Sequence, residues 1–579
     1  MAISGASRKA REGWGFGRVL LLAASLCLVG TALLFLYELG GTSNISGKHV
    51  GSAKLTALVS RLRGGSGRFV RTTEVGDIFG TLFHSELVGI IKVQDAGGGS
   101  RLLSTLQSMQ AAGIKTVMFS LEWGWFEQAE GQLNWAHVDL LAGTACNSTK
   151  LKVAMIVDVL RAPGWLFRKW PHSRSFDAGG RNYSHLSWFH AGANAVALDR
   201  LQQVATRLSG QFGSCAVAIQ PAYNNEYEAK FTQEYDAYQD YNPHGLDTFR
   251  GWLQRRQPDL AAINNRWGTK FSKWEEVAPP RLFAGAVMGP DDSARFWDWM
   301  RFRTEAGADV LNGACRTVQA AGLQCFHHFP EFFSVLDAIY GATMFPLIAG
   351  SNATDFVIMD SNFRTPYGTL MDPSKLRFYV AAARAFGKRT YFEAAVERYA
   401  SMNLLEAGYR NALLAGAPNL GLTNWLTRVE MNASLTRALL ATSRPACAAD
   451  EVVGVFLHLD SCAAFHGPQW QWARKDPLHD FVEELALRLT ARCETDIAVF
   501  ISLPALTAAL PSLDRVVFVE PLLLPGGAAE LGAYVAAKAA LRASGLPVEA
   551  LRLPGNGTGG LALKVLDRLE GGGEAVWKE

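Results

Sequence analysis

The first residues that could do chemistry are an asparagine and a glutamate at the end of an apolar run. In QPAYNNEYEAKF, residues 220–231, the run that begins at Ala216 ends on Asn225 and Glu226. A carboxyl group at a strand end suits cleavage of a glycosidic bond, for which retaining enzymes use two carboxyl groups about 5 to 5.5 Å apart. Glu226 would donate and then accept the proton, and Asn225 would hydrogen-bond the sugar 2-hydroxyl.

The second carboxyl group has to come from another strand, and Glu393 in RTYFEAAVER is the leading candidate. It follows an apolar and aromatic run and precedes small residues that leave room for a sugar. Glu397, four residues on, is the alternative. Each glutamate could instead be a structural carboxylate, hydrogen-bonded at the rim of a barrel.

Polar and aromatic residues at other predicted strand ends would complete a sugar site. Tryptophan rings can stack on the apolar faces of pyranoses, although any one of them could instead pack in the core. Of residues 327 and 328, one histidine would bind a sugar hydroxyl and the other would point into the wall. The predicted substrate-binding residues are Asn225, Trp123, Asp158, Trp165, His328, Asp360 and Trp425.

These residues need a scaffold that brings strand ends together. Between about 85 and 430, eight β-rich runs alternate with helical segments, which predicts a (β/α)₈ TIM barrel whose working residues lie at the C-terminal ends of the strands. The predicted strands are VGIIKV (88–93), KTVMFSLEW (115–123), KVAMIVDV (152–159), AVAIQPAYNNE (216–226), LQCFHHF (323–329), DFVIMDSN (355–362), RTYFEAAVE (389–397) and LGLTNW (420–425).

After Pro445 the pattern changes to the buried strands of a smaller α/β unit. VVGVFLHLD, DIAVFISL and RVVFVEPLLL are separated by helical stretches, which predicts an open, flavodoxin-like α/β domain. The expected organisation is a cytosolic tail (1–18), a transmembrane signal anchor (19–37), a stem (38–84), the catalytic barrel (85–445) and the C-terminal α/β domain (446–579).

The expected anchor is the uncharged run VLLLAASLCLVGTALLFLY, preceded by basic residues. This arrangement predicts a single-pass type II membrane glycoprotein of the Golgi or endoplasmic reticulum with a lumenal barrel. A cleaved signal peptide and secretion are the alternative. Six Asn-x-Ser/Thr sequons, which begin at Asn44, Asn147, Asn182, Asn352, Asn432 and Asn556, agree with a lumenal chain.

Composition and cysteine spacing limit the kinds of partner and cofactor that we expect. The net charge of +3 over 579 residues, without long basic runs, argues against nucleic-acid binding. The eight cysteines show no metal-ligand spacing, so we expect no metal and no cofactor, and the sequence leaves any disulfide pairing open.

Several motifs resemble the family 42 glycoside hydrolases, which are β-galactosidases of clan A. WGWFEQAEGQLNWAHVD carries Trp123, Glu127 and Gly131 at the family's spacing, with Gln128 in place of the usual proline. The other similar segments, in the family's order, are APGWLFRKWPHSRSFDAGGRN, NNEYEAKF, AAINNRWGTKFSKWEEVAPP and FWDWMRFRTE. The strand-2 segment is also similar to β-amylases, and residues 220–227 to family 35 β-galactosidases.

The resemblance implies a retaining, exo-acting β-galactosidase with Glu226 as acid/base and Glu393 as nucleophile. The family uses its second domain for trimer formation, so a homo-oligomer is allowed. The family's zinc-binding cysteines are absent from this sequence. We therefore expect hydrolysis of β-linked sugars in an oligosaccharide, polysaccharide or glycoconjugate by double displacement. The alternatives are a transglycosylase of the same fold and a catalytically silent glycan-binding scaffold.

Overall fold

The computed structural model describes most of the chain after residue 74. The described residues are 75–92, 98–224, 226–231, 238–281, 290–330, 342–360, 363–364, 369–394, 399, 401–442, 451–458, 477–490, 495–521 and 528–552. The expected tail 1–18, the expected anchor 19–37 and residues 38–74 of the expected stem lie outside them. Within the described part of the chain, no helix is long and apolar enough to cross a membrane.

A closed parallel barrel forms the larger part of the fold. The strands up to residue 422 are β1 (Asp77–Leu82), β2 (Thr116–Glu122), β3 (Lys152–Asp158), β4 (Arg174–Phe176), β5 (Asn182–Leu186), β6 (Ala216–Ala222), β7 (Gln324–Pro330), β8 (Phe356–Asp360), β9 (Arg389–Ala394) and β10 (Asn419–Leu422). Eight of them close in the order β1-β10-β9-β8-β7-β6-β3-β2, while β4 and β5 form a small antiparallel pair. The predicted (β/α)₈ barrel is confirmed.

The first barrel strand is not the one that the sequence predicted. VGIIKV was expected to be a strand, but residues 88–92 belong to the helix His84–Lys92. Glu86 fixes the start of that helix, because its Oε2 accepts a hydrogen bond from the Phe83 backbone N–H at 3.0 Å. The true first strand, DIFGTL, begins at Asp77, before the expected boundary at residue 85.

Helices surround the barrel. Those up to residue 440 are His84–Lys92, Gly98–Ala112, Trp123–Phe126, Trp135–Ser148, Gly164–Lys169, Ala191–Phe212, Pro243–Arg256, Leu260–Trp267, Pro290–Ala320, Phe345–Ala349, Pro373–Arg384, Met402–Leu414 and Val429–Leu440. Short 3₁₀ turns occur at Gly213–Cys215, Trp274–Glu276, Ala342–Met344 and Trp425–Arg428. The helix Ala191–Phe212 shows why they pack: Leu201, Val204 and Leu208 are buried at helical spacing and face the sheet.

The barrel has an inner and an outer apolar layer. Phe79, Phe326, Phe356 and Tyr391 fill the interior, and a larger buried cluster lies between the strands and the helices. Gly421 of β10 lets the Phe79 ring enter, since a Cβ atom there would lie 2.1 Å from the Phe79 Cζ. The lumen is therefore packed with side chains.

A second parallel sheet follows the barrel. Its strands are β11 (Glu451–Phe456), β12 (Thr495–Phe500), β13 (Arg515–Glu520) and β14 (Val548–Arg552), in the order β12-β11-β13-β14. Its helices are Pro477–Thr490, Leu503–Ala509, the 3₁₀ turn Leu510–Ser512 and Ala528–Ser544. This order occurs in doubly wound sheets. The sequence did not predict β14, and the domain boundary at 446 stays a prediction.

The second sheet packs against the barrel through the helix Pro373–Arg384. Arg377 Nη2 donates to the Thr495 carbonyl oxygen and lies 3.7 Å from Asp496 Oδ1. Val453, Val455 and Val499 of this sheet belong to the same buried cluster as the outer layer of the barrel. The two sheets therefore share an apolar core.

Two disulfides lie within the described residues. They join Cys146 to Cys215 and Cys315 to Cys325. Cys315, Cys325 and His327 could in principle hold a metal ion, but the two sulfur atoms are bonded to each other. The sequon at Asn432 is structural, because this residue is fully buried inside the helix Val429–Leu440.

Candidate active site

The predicted acid/base glutamate lies in a tight loop after β6. The buried side chain of Asn224 spans this loop: its Oδ1 accepts from the Glu226 N–H at 2.7 Å, and its Nδ2 donates to the Phe231 carbonyl oxygen at 3.0 Å. Tyr227 has a φ of 65°, so the chain reverses there. The Glu226 side chain is 35% exposed at the barrel mouth. Asn225 lies outside the described residues.

The predicted nucleophile, Glu393, is buried in β9 and held by a histidine from β7. His328 Nε2 lies 3.3 Å from Glu393 Oε1. Among the described residues, Glu393 Oε2 has no hydrogen-bond partner. One carboxylate oxygen therefore contacts His328, and the other is buried without a hydrogen-bond partner among the described residues.

The hydrogen bonds behind His328 determine where its protons lie. Gln220 donates its amide N–H to the Tyr227 carbonyl oxygen, so its amide oxygen faces His328 Nδ1. Nδ1 must then be the donor, which leaves Nε2 facing the Glu393 carboxylate. That contact needs a proton, which His328 carries as an imidazolium or Glu393 carries as a carboxylic acid.

The loop after β6 carries a second, buried carboxyl group that the sequence analysis did not select. Glu228 forms a β-bridge with His328, and its carboxylate contacts the ammonium of Lys230. Lys230 Nζ also lies 2.8 Å from Glu226 Oε2. Burial raises the pKa of Glu228 to about 8, against the lowering effect of Lys230 and with further raising by Glu226 and Asp360. The sequence signal that could have indicated Glu228 is its position two residues after Glu226.

Asp360 and Tyr409 complete the surroundings of Glu393. Asp360 ends β8 and is the register partner of Glu393. The Tyr409 hydroxyl donates to the carbonyl oxygen of Gly421, next to β9. Burial raises the pKa of Tyr409 well above its usual value, and Glu393 is the largest charge that raises it further. Tyr409 is therefore a neutral support behind Glu393, which sequence reasoning missed.

Asp158, at the C-terminal end of β3, holds an arginine. Its fully buried carboxylate contacts Arg161 Nη1 and accepts from the Arg161 N–H at 3.2 Å. Burial raises the pKa of Asp158 to about 6, and Arg161 opposes that rise. Arg161 Nη1 also lies 3.6 Å from Glu122 Oε1 and 3.4 Å from the Tyr227 hydroxyl. Arg161 thus links β2, β3 and the loop after β6.

The structure places the predicted stacking tryptophans in the interior. Trp123 is 1% exposed, and its indole N–H donates to Glu127 Oε2 at 2.7 Å. Trp165 is 7% exposed and donates to the Glu127 carbonyl oxygen at 3.3 Å. Trp425 is fully buried and faces β1, in contact with the site where Gly80 would carry a Cβ. Sugar stacking is not supported for these rings as they are packed.

A cavity of about 180 Å³ lies at the opposite end of the barrel. Residues that begin strands line it, among them Asp77, Thr116, Lys152 and Arg389. The Tyr391 hydroxyl donates to Asp77 Oδ2 at 2.9 Å within it. This end of a TIM barrel usually serves stability, so we do not associate the cavity with catalysis.

One known protein family matches the chain. The sequence profile of glycoside hydrolase family 42, described as β-galactosidase, matches residues 99–403, which is more than half of the chain. The chain belongs to this family. The match includes both barrel strands that carry the predicted carboxyl pair.

Individual relatives of this family 42 chain are distant. A β-galactosidase of Thermus thermophilus is 27% identical over 239 residues, which cover 40% of this chain and 36% of that protein. The chain thus spans about a third of the length of this curated relative.

Solved structures show the same fold. The β-galactosidase of the Antarctic haloarchaeon Halorubrum lacusprofundi has a TM-score of 0.62 at 16% identity, covering 83% of this chain and 73% of that one. The catalytic domain of a β-amylase from Paenibacillus polymyxa has a TM-score of 0.52 at 15% identity, covering 64% of this chain and all of that domain.

The comparisons contradict the expected membrane location. The relatives found are β-galactosidases of bacteria and an archaeon, so the assignment to the Golgi or endoplasmic reticulum as a type II signal-anchored enzyme is wrong. The described helices do not include a membrane-spanning one.

Proposed function

We propose that this family 42 chain hydrolyses β-linked sugars, with a terminal β-galactoside as the first candidate substrate, by a retaining double displacement. The observation that carries the proposal is the state of Glu393: one oxygen is held by His328 and the other has no partner among the described residues. An ionised carboxylate with one oriented and one available oxygen is what a nucleophile requires.

In the first step a Glu393 oxygen attacks the anomeric carbon while the glycosidic C–O bond breaks. Glu226 gives its proton to the departing oxygen. In the second step water attacks the anomeric carbon, Glu226 takes a proton from that water, and Glu393 leaves as a carboxylate. The contact of His328 Nε2 with Glu393 Oε1 holds the carboxylate in place in both steps. Asp360 would bind a sugar hydroxyl beside Glu393, and His328 would act mainly on Glu393 itself.

The test replaces each glutamate and follows the anomeric configuration of the product. We expect Glu393→Ala to lose turnover and azide to restore it, with a glycosyl azide of inverted configuration as product. Glu226→Ala should hydrolyse sugars with poor leaving groups about 10²- to 10⁴-fold more slowly. An activated aryl leaving group needs no proton, so its release should be affected far less.

Glu130→Ala is the matched control, because Glu130 is an exposed glutamate that pairs with Lys169. Full activity of either the Glu393 or the Glu226 variant contradicts the proposal. A folded wild-type protein that binds sugars without cleaving any glycoside would favour the silent glycan-binding alternative. Products elongated by a sugar acceptor, in place of free sugar, would favour the transglycosylase.

A further inference from the structure

The cluster formed by Glu226, Lys230 and Glu228 raises a question about the proposed acid. A general acid must carry a proton when the substrate arrives, yet an ammonium 2.8 Å from Glu226 Oε2 favours the ionised form of that carboxylate. A single carboxylate paired with Lys230 would therefore be a poor acid at neutral pH. The second carboxylate on the same ammonium changes this balance.

We propose that Glu228 is a positioning residue which shares Lys230 with Glu226, so that the two carboxyl groups together retain one proton for the acid step. This inference rests on the proposed function of Glu226. It assigns Glu228 and Lys230 a part in proton supply, without contact to the reacting atoms.

The geometry supports sharing. The side chains of Lys230 and Glu228 are 5% and 6% exposed, whereas that of Glu226 is 35% exposed. Tyr227, with a φ of 65°, lies between the exposed Glu226 and the buried Glu228. The Lys230 ammonium contacts both carboxylates. The backbone supports this arrangement, because the main-chain N–H of Lys230 donates to the Glu228 carbonyl oxygen at 2.9 Å.

The charged groups around Glu228 also support proton sharing. Glu226 and Lys230 face it from its own loop, Asp360 approaches from β8, and His328 lies beside it on β7. Among these groups, Lys230 lowers the pKa of Glu228, whereas the carboxylates of Glu226 and Asp360 raise it. Such a coupled group takes up a proton as a unit, and its ionisation belongs to the pair rather than to either residue.

The attraction of the two carboxylates also keeps the ammonium charged. Burial alone would lower the pKa of Lys230, but Glu228 and Glu226 raise it above its usual value. Lys230 therefore remains a cation throughout the cycle, and the proton that moves is the one on the carboxyl groups.

Glu228 and Lys230 can be removed separately, with opposite expected effects on the proton of Glu226. In Glu228→Gln, the ammonium of Lys230 still pairs with Glu226 but the neighbouring negative charge is gone, so the acid loses its proton at lower pH. The alkaline limb of the kcat/KM profile should move down by about one to three pH units. In Lys230→Met, both carboxylates lose the ammonium, and the alkaline limb should move up.

Glu130→Gln and Lys169→Met are matched controls, because this pair is exposed and separate from the cluster. Neither should move the profile. A limb that stays within 0.3 pH units of wild type in both cluster variants, or that moves in the same direction in both, overturns the inference.

A readout without substrate separates this inference from the proposed function. Carbon-13 NMR of protein labelled at glutamate carboxyl carbons should show a shared titration near pH 8, in which two carboxyl resonances shift over the same pH range, and Glu228→Gln should abolish it. Its absence in folded wild-type protein overturns proton sharing, even if Glu393→Ala abolishes hydrolysis. Its presence in a protein that hydrolyses no glycoside refutes only the proposed function.

Discussion

The side chain of Glu127 holds together the short helix and turn that follow β2, and its replacement tests this role. Its side chain is fully buried and accepts four hydrogen bonds. The donors are Trp123 Nε1 and the Gly131 N–H, each at 2.7 Å, and Arg200 Nε and Nη2 at 2.8 and 2.9 Å. The family spacing of Trp123, Glu127 and Gly131 is thus explained by one hydrogen-bonded carboxylate.

We expect Glu127→Ala to destabilise the barrel by about 4 kcal/mol. Removing one partner of a buried ion pair costs about 3–5 kcal/mol, because the other charge stays buried. The Arg200 side chain is 15% exposed and can reach water in part, which lowers this cost. The loss of the hydrogen bonds that Trp123 and Gly131 donate to the charged carboxylate raises this cost.

The assay is denaturant unfolding followed by tryptophan fluorescence, with a double-mutant cycle. Because Arg200→Ala removes the stranded charge, the Glu127→Ala/Arg200→Ala protein should be more stable than the sum of the single changes predicts, by about 2 kcal/mol. Glu130→Ala, an exposed control, should change stability by less than about 0.5 kcal/mol. A Glu127→Ala protein within about 1 kcal/mol of wild type would refute the reasoning.

Two further predictions concern stability. Trp425→Ala should cost about 3–5 kcal/mol, because a fully buried ring leaves a cavity in the outer layer; a midpoint of denaturant unfolding equal to that of wild type would contradict this. Burial raises the pKa of Glu228 from 4.5 to about 8 in the folded protein. The stability that protonated Glu228 contributes to the folded state is therefore fully present below pH 4.5 and is lost as the pH rises through 8. Across that window wild type should lose stability relative to Glu228→Gln; a constant difference between the two unfolding free energies would contradict the shift.

The strands that carry the site were predictable because their signals are local. Seven of the eight predicted runs contain or overlap barrel strands, and their polar ends meet because parallel strands in a closed barrel present their carboxyl ends at one mouth. The first strand was missed because VGIIKV has a β-like composition although it lies largely inside a helix, and it was chosen in place of DIFGTL.

The sequence by itself determined the barrel and the order of the chemical groups along the chain, since these follow from apolar periodicity and spacing. Its motifs also resemble those of the family. Only the tertiary structure decided how each group is used. It turns His328 toward Glu393 and His327 toward Cys315, because neighbouring residues of a strand face opposite sides. It also buries Trp123 and Trp425. Burial and charge pairing depend on residues far apart in the chain, so the spacing of residues cannot predict them.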